Sequence, residues 1–431
     1  MTAALPVRPL GILFLGLLAV FAAPCLLRKA GDWEKVYVPA AERLRAGGDV
    51  FDERTGFIYP PVAALAAVPA SVLPHSAGRS LWWVANAVAG VVVFAGAWRL
   101  AGGPLTDPRT WPRTEIAAFW LGLLAAVGFT FDAVSNQQTD LILAAFAVGG
   151  CWLVHSGRDT AGGGCIGLAA AAKCTPLLFA AYFAWTGRWR AAAAVVGVAV
   201  GVNLLPDILY PTADGHARLG EWATRFLGSV SNPKVDPGVW YSGVQFNHSL
   251  AGLSNRLFTA DLTSLNGVRF PVPRADRVGP ATLKLGVLAA GCGLAALAGV
   301  AAWRRRTDVR PAFAAEVGMA FALMLLLSPM SSKPHFCTLI LPAWVVARAA
   351  ANGSLMLRGI AVGAAACGLA ANKDLVGARV YDTILWYGLI PAGTALLFAG
   401  CWLVRWRDGG MAAEPIAAAE PSIRVGARRA A

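Results

Sequence analysis

Asp32 opens the stretch "DWEKVYVPAAERLRAGGDVF", just beyond an apolar N-terminal run. A carboxylate held beside a bilayer, near the head of a bound lipid, can act as a general base. It can also cap the helix that follows, and the two roles are compatible. Gln137, Gln138 and Asp140 stand in "SNQQTD" at the mouth of another apolar run. Polar side chains at membrane depth usually face a cavity or the bundle interior; capping by Asn136 with interfacial solvation is the competing reading. Lys173 sits inside "GLAAAAKCTPLLFAAYFAW". A buried ammonium needs a partner or a path to water. A phosphate would serve, since lysine binds one as a point charge; snorkelling to the surface is the alternative. In "QFNHSLAGLSNRLF", Asn247, His248 and Ser249 can donate and accept hydrogen bonds, and Arg256 can hold phosphate bidentately. His335 closes "SPMSSKPH" with Ser331, Ser332 and Lys333 beside it, either as a functional group or as a capped, solvated histidine.

These residues need elements to position them, and the composition says of what kind. The chain has 431 residues, of which 57% are hydrophobic and only 14% charged, with a mean hydropathy of +0.57. A soluble chain would carry roughly 25% charged residues. The apolar residues come in runs, many near the roughly 20 residues that cross a bilayer core. The expected class is an all-α polytopic membrane protein. Spans are placed near Leu10–Leu27, Ser80–Leu100, Ile116–Phe131, Leu141–Val154, Gly164–Ala172, Leu177–Trp185, Ala191–Leu209, Gly286–Trp303, Ala312–Leu327, Phe336–Val346, Ile360–Ala371 and Ile384–Val404. That is about twelve, the pair around Lys173 being either two spans or one bent at Pro176.

The net charge of +13 reads as cytoplasmic loops rather than nucleic-acid binding. Arg99, Arg109, Arg113, Arg188, Arg190, Arg304–Arg306, Arg310, Arg405 and Arg407 all fall on one side if the N-terminus is cytoplasmic and "YPPVAALAAVPASVLP" does not cross. Four prolines argue that this segment is interfacial or re-entrant. The outer face then receives the first loop (28–59), "SNQQTD", the turn at Lys173, the long loop 211–283, "SPMSSKPH" and "NKDLVGARVYD". Residues 1–404 read as one transmembrane domain and 405–431 as a basic, disordered cytoplasmic tail. "DWEKVYVPAAERLRAG" reads as an amphipathic helix along the membrane surface. Trp33, Val36, Tyr37, Ala40 and Leu44 lie on one face, and Gly47–Gly48 ends it.

The eight cysteines lie mostly within apolar runs without a CxxC pair, so neither disulfide nor metal site is expected. The sequence holds no Walker loop, no HExxH and no dinucleotide fingerprint. With no cytoplasmic room for a nucleotide sugar, a lipid-linked donor fits a site on the outer face.

In succession, "DWEKVYVPAAERLRAGGDVF" with "FIYPP", "NQQTDLIL", "AAKCTPLL", "NHSLAGLSNR" and "SPMSSKPH" resemble the motifs of glycosyltransferase family 87 over about Gly11 to Leu341. These are membrane enzymes of the GT-C class that use polyprenyl-phosphate mannose, among them the mycobacterial mannosyltransferases of phosphatidylinositol mannoside synthesis. The resemblance implies Asp32 as catalytic base, and Tyr37 and Tyr59 of the first outer loop, with Gln137, Asp140, Asn247 and Ser249, as substrate-binding. Lys173, Arg256 and His335 would hold the leaving phosphate. The last motif departs from the family, with Ser332 in place of a Trp and Pro334 in place of the first of two histidines.

The resulting expectation is a hexosyltransferase that moves mannose from a polyprenyl phosphate to a glycolipid, glycan or protein outside the cytoplasmic membrane. One base with cations on the phosphate suits direct inverting displacement, since a retaining route wants a second, nucleophilic carboxylate. Glu34, Glu42, Asp49, Asp52 and Glu53 are then structural or acceptor-facing. A transporter or flippase for a lipid-linked or anionic substrate is the rival, although the inverted halves it would want are not visible.

Overall fold

The computed structural model describes residues 30–228 apart from 53, 55, 213 and 214, then 245–258, 278–303, and 310–411 apart from 352, together with 15, 16, 19, 22 and 27. Most of the expected first span and of the tail lies outside the described residues. Among the described residues the regular structure is helical throughout.

Six helices are long and apolar enough to cross a membrane: α3 (His75–Leu100), α4 (Arg113–Ser135), α8 (Trp189–Leu209), α11 (Pro280–Trp303), Lys333–Ala351 and Leu389–Arg407. In the fifth, a 3-10 segment, Lys333–Leu339, leads into α13 (Ile340–Ala351); the sixth is the larger part of α16 (Leu389–Met411). Shorter apolar helices complete the bundle: α5 (Asp140–His155), α6 (Asp159–Ala172), α7 (Leu178–Trp185), α12 (Arg310–Leu326) and α14 (Leu355–Ala370). Val84, Val88 and Val91 on α3, Val196 and Val200 on α8, and Leu285 and Leu288 on α11 all point outward. An apolar exterior of this extent is what a lipid-facing surface requires. The protein is a multi-pass membrane protein.

The chain reverses at Lys173. Its backbone is extended (φ −153°, ψ 112°) between α6 and a 3-10 turn at Thr175–Leu177. Arg188, reached after α7, lies 3.3 Å from Asp159 at the start of α6, so the chain goes out and comes back. The chain thus reverses at Lys173 and does not continue as one span bent at Pro176. α6 and α8 pack very closely: a Cβ on Gly163 would stand 2.3 Å from the Ala191 carbonyl oxygen.

The expected surface helix forms as a π-helical turn, Trp33–Tyr37, running into α1 (Val38–Arg45). Gly47, at φ +69°, ends it; the Gly48 N–H reaches the Arg43 carbonyl, and the Gly47 N–H that of Leu44. Its apolar face does not lie on lipid. Trp33, Tyr37, Ala40, Ala41 and Leu44 are buried against protein, in a core shared with α2 (Pro61–Ser71). At eleven residues α2 is too short to cross, as its prolines implied. The expected span Ile384–Val404 is broken. Ile384 belongs to α15 (Ala378–Trp386), and Gly388, at φ +91°, turns the chain into α16.

The two ends of the bundle differ. At one end, Arg348 pairs with Glu115, Arg188 with Asp159, and Arg405 with Glu316, which also accepts from the Tyr182 hydroxyl. The expected cytoplasmic arginines that are described gather here; Arg304–Arg306 lie outside the described residues. Asp32, Gln138, Lys173 and His335 stand together at the opposite end.

Candidate active site

A cavity of about 670 Å³ opens at that end, within the usual size of a small-molecule site. Its walls include Asp32, Tyr59, Gln138, Lys173, His248 and His335.

Asp32 is set in place by the turn at 136–138. Its backbone N–H donates to the Asn136 carbonyl at 3.0 Å, and the Gly31 N–H donates to the Gln137 side chain at 3.0 Å. Gln137 adopts a left-handed backbone (φ 56°) to close this turn. Gly31 fits because it lacks a side chain: a Cβ would stand 2.8 Å from the Asn136 oxygen and from Gln137 Cβ. The Asp32 carboxylate makes no helix-capping hydrogen bond. Gln138 Nε2 donates to its Oδ2 instead. Burial raises the pKa of Asp32 above the ordinary value, Lys35 opposes this, and the Asp140 carboxylate adds to the rise.

Asp140 is the hub below the cavity. It accepts from Lys173 Nζ at 2.7 Å, and His335 Nε2 lies 3.9 Å from its other oxygen. His335 is also the third residue of a capping box: the Ser332 N–H donates to Nδ1 at 3.2 Å, while Nε2 is 2.9 Å from Ser332 Oγ. His335 thus caps this segment and also lines the cavity, and it is largely buried rather than solvated. Tyr59 spreads its ring 5.9 Å from the Lys173 ammonium and stacks on Tyr37 at 4.9 Å. A second cation, Lys333, is 3.4 Å from Asp132 and 5.4 Å from the Tyr381 ring centre.

Other candidates stand one layer back. Tyr37 packs behind Tyr59 and meets Thr139 Oγ1 at 3.2 Å. Gln137 faces Gly31, not the cavity. Asn247 gives its amide to the Pro329 carbonyl and accepts from the Ser249 N–H, the Ser249 hydroxyl and the Ser331 N–H. Ser249 and Asn247 are thus a brace between two loops. Arg256 is fully buried in α10 (Leu250–Phe258) and donates to the carbonyls of Asn247 and Trp386. The fork that could hold phosphate is here turned to backbone.

The first-loop acids separate in the same way. Glu34 pairs with Arg79 at 2.7 Å, Asp52 with Arg43 and Arg54, and Asp49 accepts from the Phe51 N–H. Glu53 lies outside the described residues. Of the others, Asp32 alone lines the cavity. Sequence reasoning missed the aromatic wall of Trp222, Phe226 and Phe246, and the reach of Asp132 and Tyr381 into the site. Only the expected outer placement of "VYD" pointed toward Tyr381. Among the described residues no group of three or more His, Cys, Asp or Glu side chains is disposed to hold a metal ion.

The site is thus a cavity at one end of a multi-span helical bundle, walled by a half-buried carboxylate and by two lysines that are ion-paired to Asp140 and Asp132. The model of glycosyltransferase family 87 matches residues 57–329, more than half of the chain, and the chain belongs to that family. It is a membrane glycosyltransferase, and the transporter reading falls. A relative is the polyprenol-phosphate-mannose-dependent alpha-(1-2)-phosphatidylinositol pentamannoside mannosyltransferase of Mycolicibacterium smegmatis. It is 27% identical over 327 residues, which cover 72% of this chain and 68% of that protein. Among solved structures, ArnT from Cupriavidus metallidurans bound to undecaprenyl phosphate aligns at a TM-score of 0.41 and 15% identity, covering 92% of this chain and 75% of that one. The apo form of the same protein gives 0.39.

Proposed function

We propose that this glycosyltransferase, of GT-C type, takes a hexose, mannose in the first instance, from a polyprenyl phosphate. It passes the sugar to an acceptor hydroxyl on the outer face of the cytoplasmic membrane. The observation that carries this reading is that Asp32 and Lys173 face one cavity at the end of the bundle away from the arginine pairs. The relative's dependence on polyprenol-phosphate-mannose supports the donor class.

The chemistry follows from the charges. Asp32, ionised and oriented by Gln138, takes the acceptor hydroxyl proton as that oxygen attacks the anomeric carbon. The bond from that carbon to the phosphate oxygen breaks, and the bonding pair leaves with the phosphate. Lys173 and the imidazole of His335 receive the growing charge, while Asp140 holds Lys173 and Ser332 holds His335 at the cavity floor. Entry from the side opposite the phosphate inverts the anomeric centre. Tyr59 walls the site. Asn247, Ser249 and Arg256 act by fixing the loop that forms one wall.

The test is purified full-length protein in lipid vesicles, given radiolabelled polyprenyl-phosphate mannose and a membrane extract. Label should move from donor to a new product. Transfer only from a different polyprenyl-linked sugar would change the sugar and keep the mechanism. No transfer from any such donor would sink the reading.

A further inference from the structure

The triplet Asn247-His248-Ser249 is held from both sides. Ser249 donates to the Asn247 side chain, Asn247 in turn bonds the 329–331 segment, and the His248 N–H donates to the Ser331 carbonyl at 2.7 Å. Arg256 fastens the Asn247 carbonyl from below. A Cβ on Gly252 would stand 2.5 Å from Asn247, so α10 begins tight against this turn. All of this fixes the backbone of the residue in the middle. The His248 side chain is fully buried, packs edge-on to Phe336 with centroids 6.0 Å apart, and belongs to the cavity wall. Neither of its ring nitrogens has a hydrogen-bond partner. Buried polar atoms left so are rare and call for an explanation. The bracing around His248 shows that its position is built rather than accidental.

The chemistry of the missing partner can be narrowed. Burial, with Arg256, Lys333 and His335 nearby, holds the imidazole below its ordinary pKa and so neutral. A neutral imidazole offers one N–H and one lone pair. A phosphate oxygen would use only the first and already has Lys173 and His335. A polyprenyl chain would use neither. A sugar hydroxyl both donates and accepts, so one hydroxyl, or two on adjacent carbons, answers both nitrogens. Phe246, 44% exposed in the same wall, offers apolar surface for the C–H face of a pyranose.

We infer that His248 binds a hydroxyl of the transferred sugar and thereby sets which hexose the enzyme accepts. This rests on the donor class proposed above. The donor sugar is favoured over the acceptor because His248 is hydrogen-bonded to the same 328–335 segment that carries His335, on the phosphate side. The sugar is joined directly to that phosphate.

The experiment measures binding of tritiated polyprenyl-phosphate mannose and of polyprenyl methyl phosphate, which has the same diester charge and no sugar. The full-length protein is held in lipid nanodiscs. Wild type should favour the sugar-bearing lipid by roughly tenfold, the worth of a satisfied buried hydrogen bond. His248→Phe, which fills similar space beside Phe336, should bind the methyl ester as wild type does and lose the preference; His248→Gln should keep much of it. A Phe variant that retains the preference, or a wild type that shows none, overturns the inference. Should the Phe variant lose the methyl ester as well, wild type decides with mannosyl donors each lacking one hydroxyl. One of these must fall about tenfold, and a series in which none falls overturns the inference. If wild type binds neither lipid, the donor assignment itself has failed and takes this inference with it.

Discussion

Lys173 and Asp140 form a buried pair, so removing the lysine does two things at once. Their side chains are 15% and 6% exposed and meet at 2.7 Å. Lys173→Met deletes the proposed phosphate contact and also leaves Asp140 ionised in a poorly solvated place. Breaking a buried pair from one side costs about 3–5 kcal/mol. Lys173→Met with Asp140→Asn removes both charges and should bring stability back to within about 1 kcal/mol of wild type. Donor binding should not return with it. A charge-assisted hydrogen bond is worth about 1.5–3 kcal/mol, or roughly 10- to 150-fold in affinity. The assays are thermal unfolding followed by tryptophan fluorescence and equilibrium binding of labelled polyprenyl-phosphate mannose, for both variants in nanodiscs. A double variant that binds the donor as tightly as wild type refutes the phosphate role. A single variant that melts with the double one refutes the buried-pair argument.

Three further outcomes are expected. Gly31→Ala should insert and fold yet lower transfer by more than tenfold, because its Cβ would displace the 136–138 turn that holds Asp32; a fully active Gly31→Ala would show that Asp32 needs no such placement. The acidic limb of kcat/KM should lie above the ordinary carboxylate range. The raised pKa of Asp32 means the base form is lost earlier as pH falls, and Asp140→Asn should move the limb to lower pH; a limb that does not move removes Asp140 as a cause. Single cysteines near Asp49 and near Arg109 should label from opposite sides of sealed vesicles, the first from outside; labelling of both from one side would break the proposed sidedness.

Much of this architecture was legible in the sequence, and the misses have physical reasons. The 3.6-residue spacing of Trp33, Tyr37, Ala40 and Leu44 gave the first-loop helix its apolar face, but periodicity does not say what covers a face, and protein does so here. The charge of Lys173 in an apolar run marked the reversal between α6 and α7, because an ammonium there must reach a partner. An N-cap role for Asp32 was reasonable by local rules. It fails because Gln138, more than a hundred residues away, takes the carboxylate. The same non-local logic separates His248 from its neighbours: the polar triplet looks uniform until the 329–331 segment claims Asn247 and the Ser249 hydroxyl turns to it. The run Ile384–Val404 is apolar across Gly388, and only the positive φ there reveals the break.

The most direct measurement compares wild type with Asp32→Asn in the transfer of radiolabelled mannose from polyprenyl phosphate. Asn keeps the size of the side chain and an oxygen to accept from Gln138, and it removes a carboxylate whose burial disfavours its charge. The variant should therefore melt no earlier than wild type at neutral pH and bind the donor normally. Its transfer should fall by at least roughly a hundredfold, as expected for a lost general base. A stable, donor-binding Asp32→Asn protein that transfers mannose at the wild-type rate would contradict the account and place the base elsewhere.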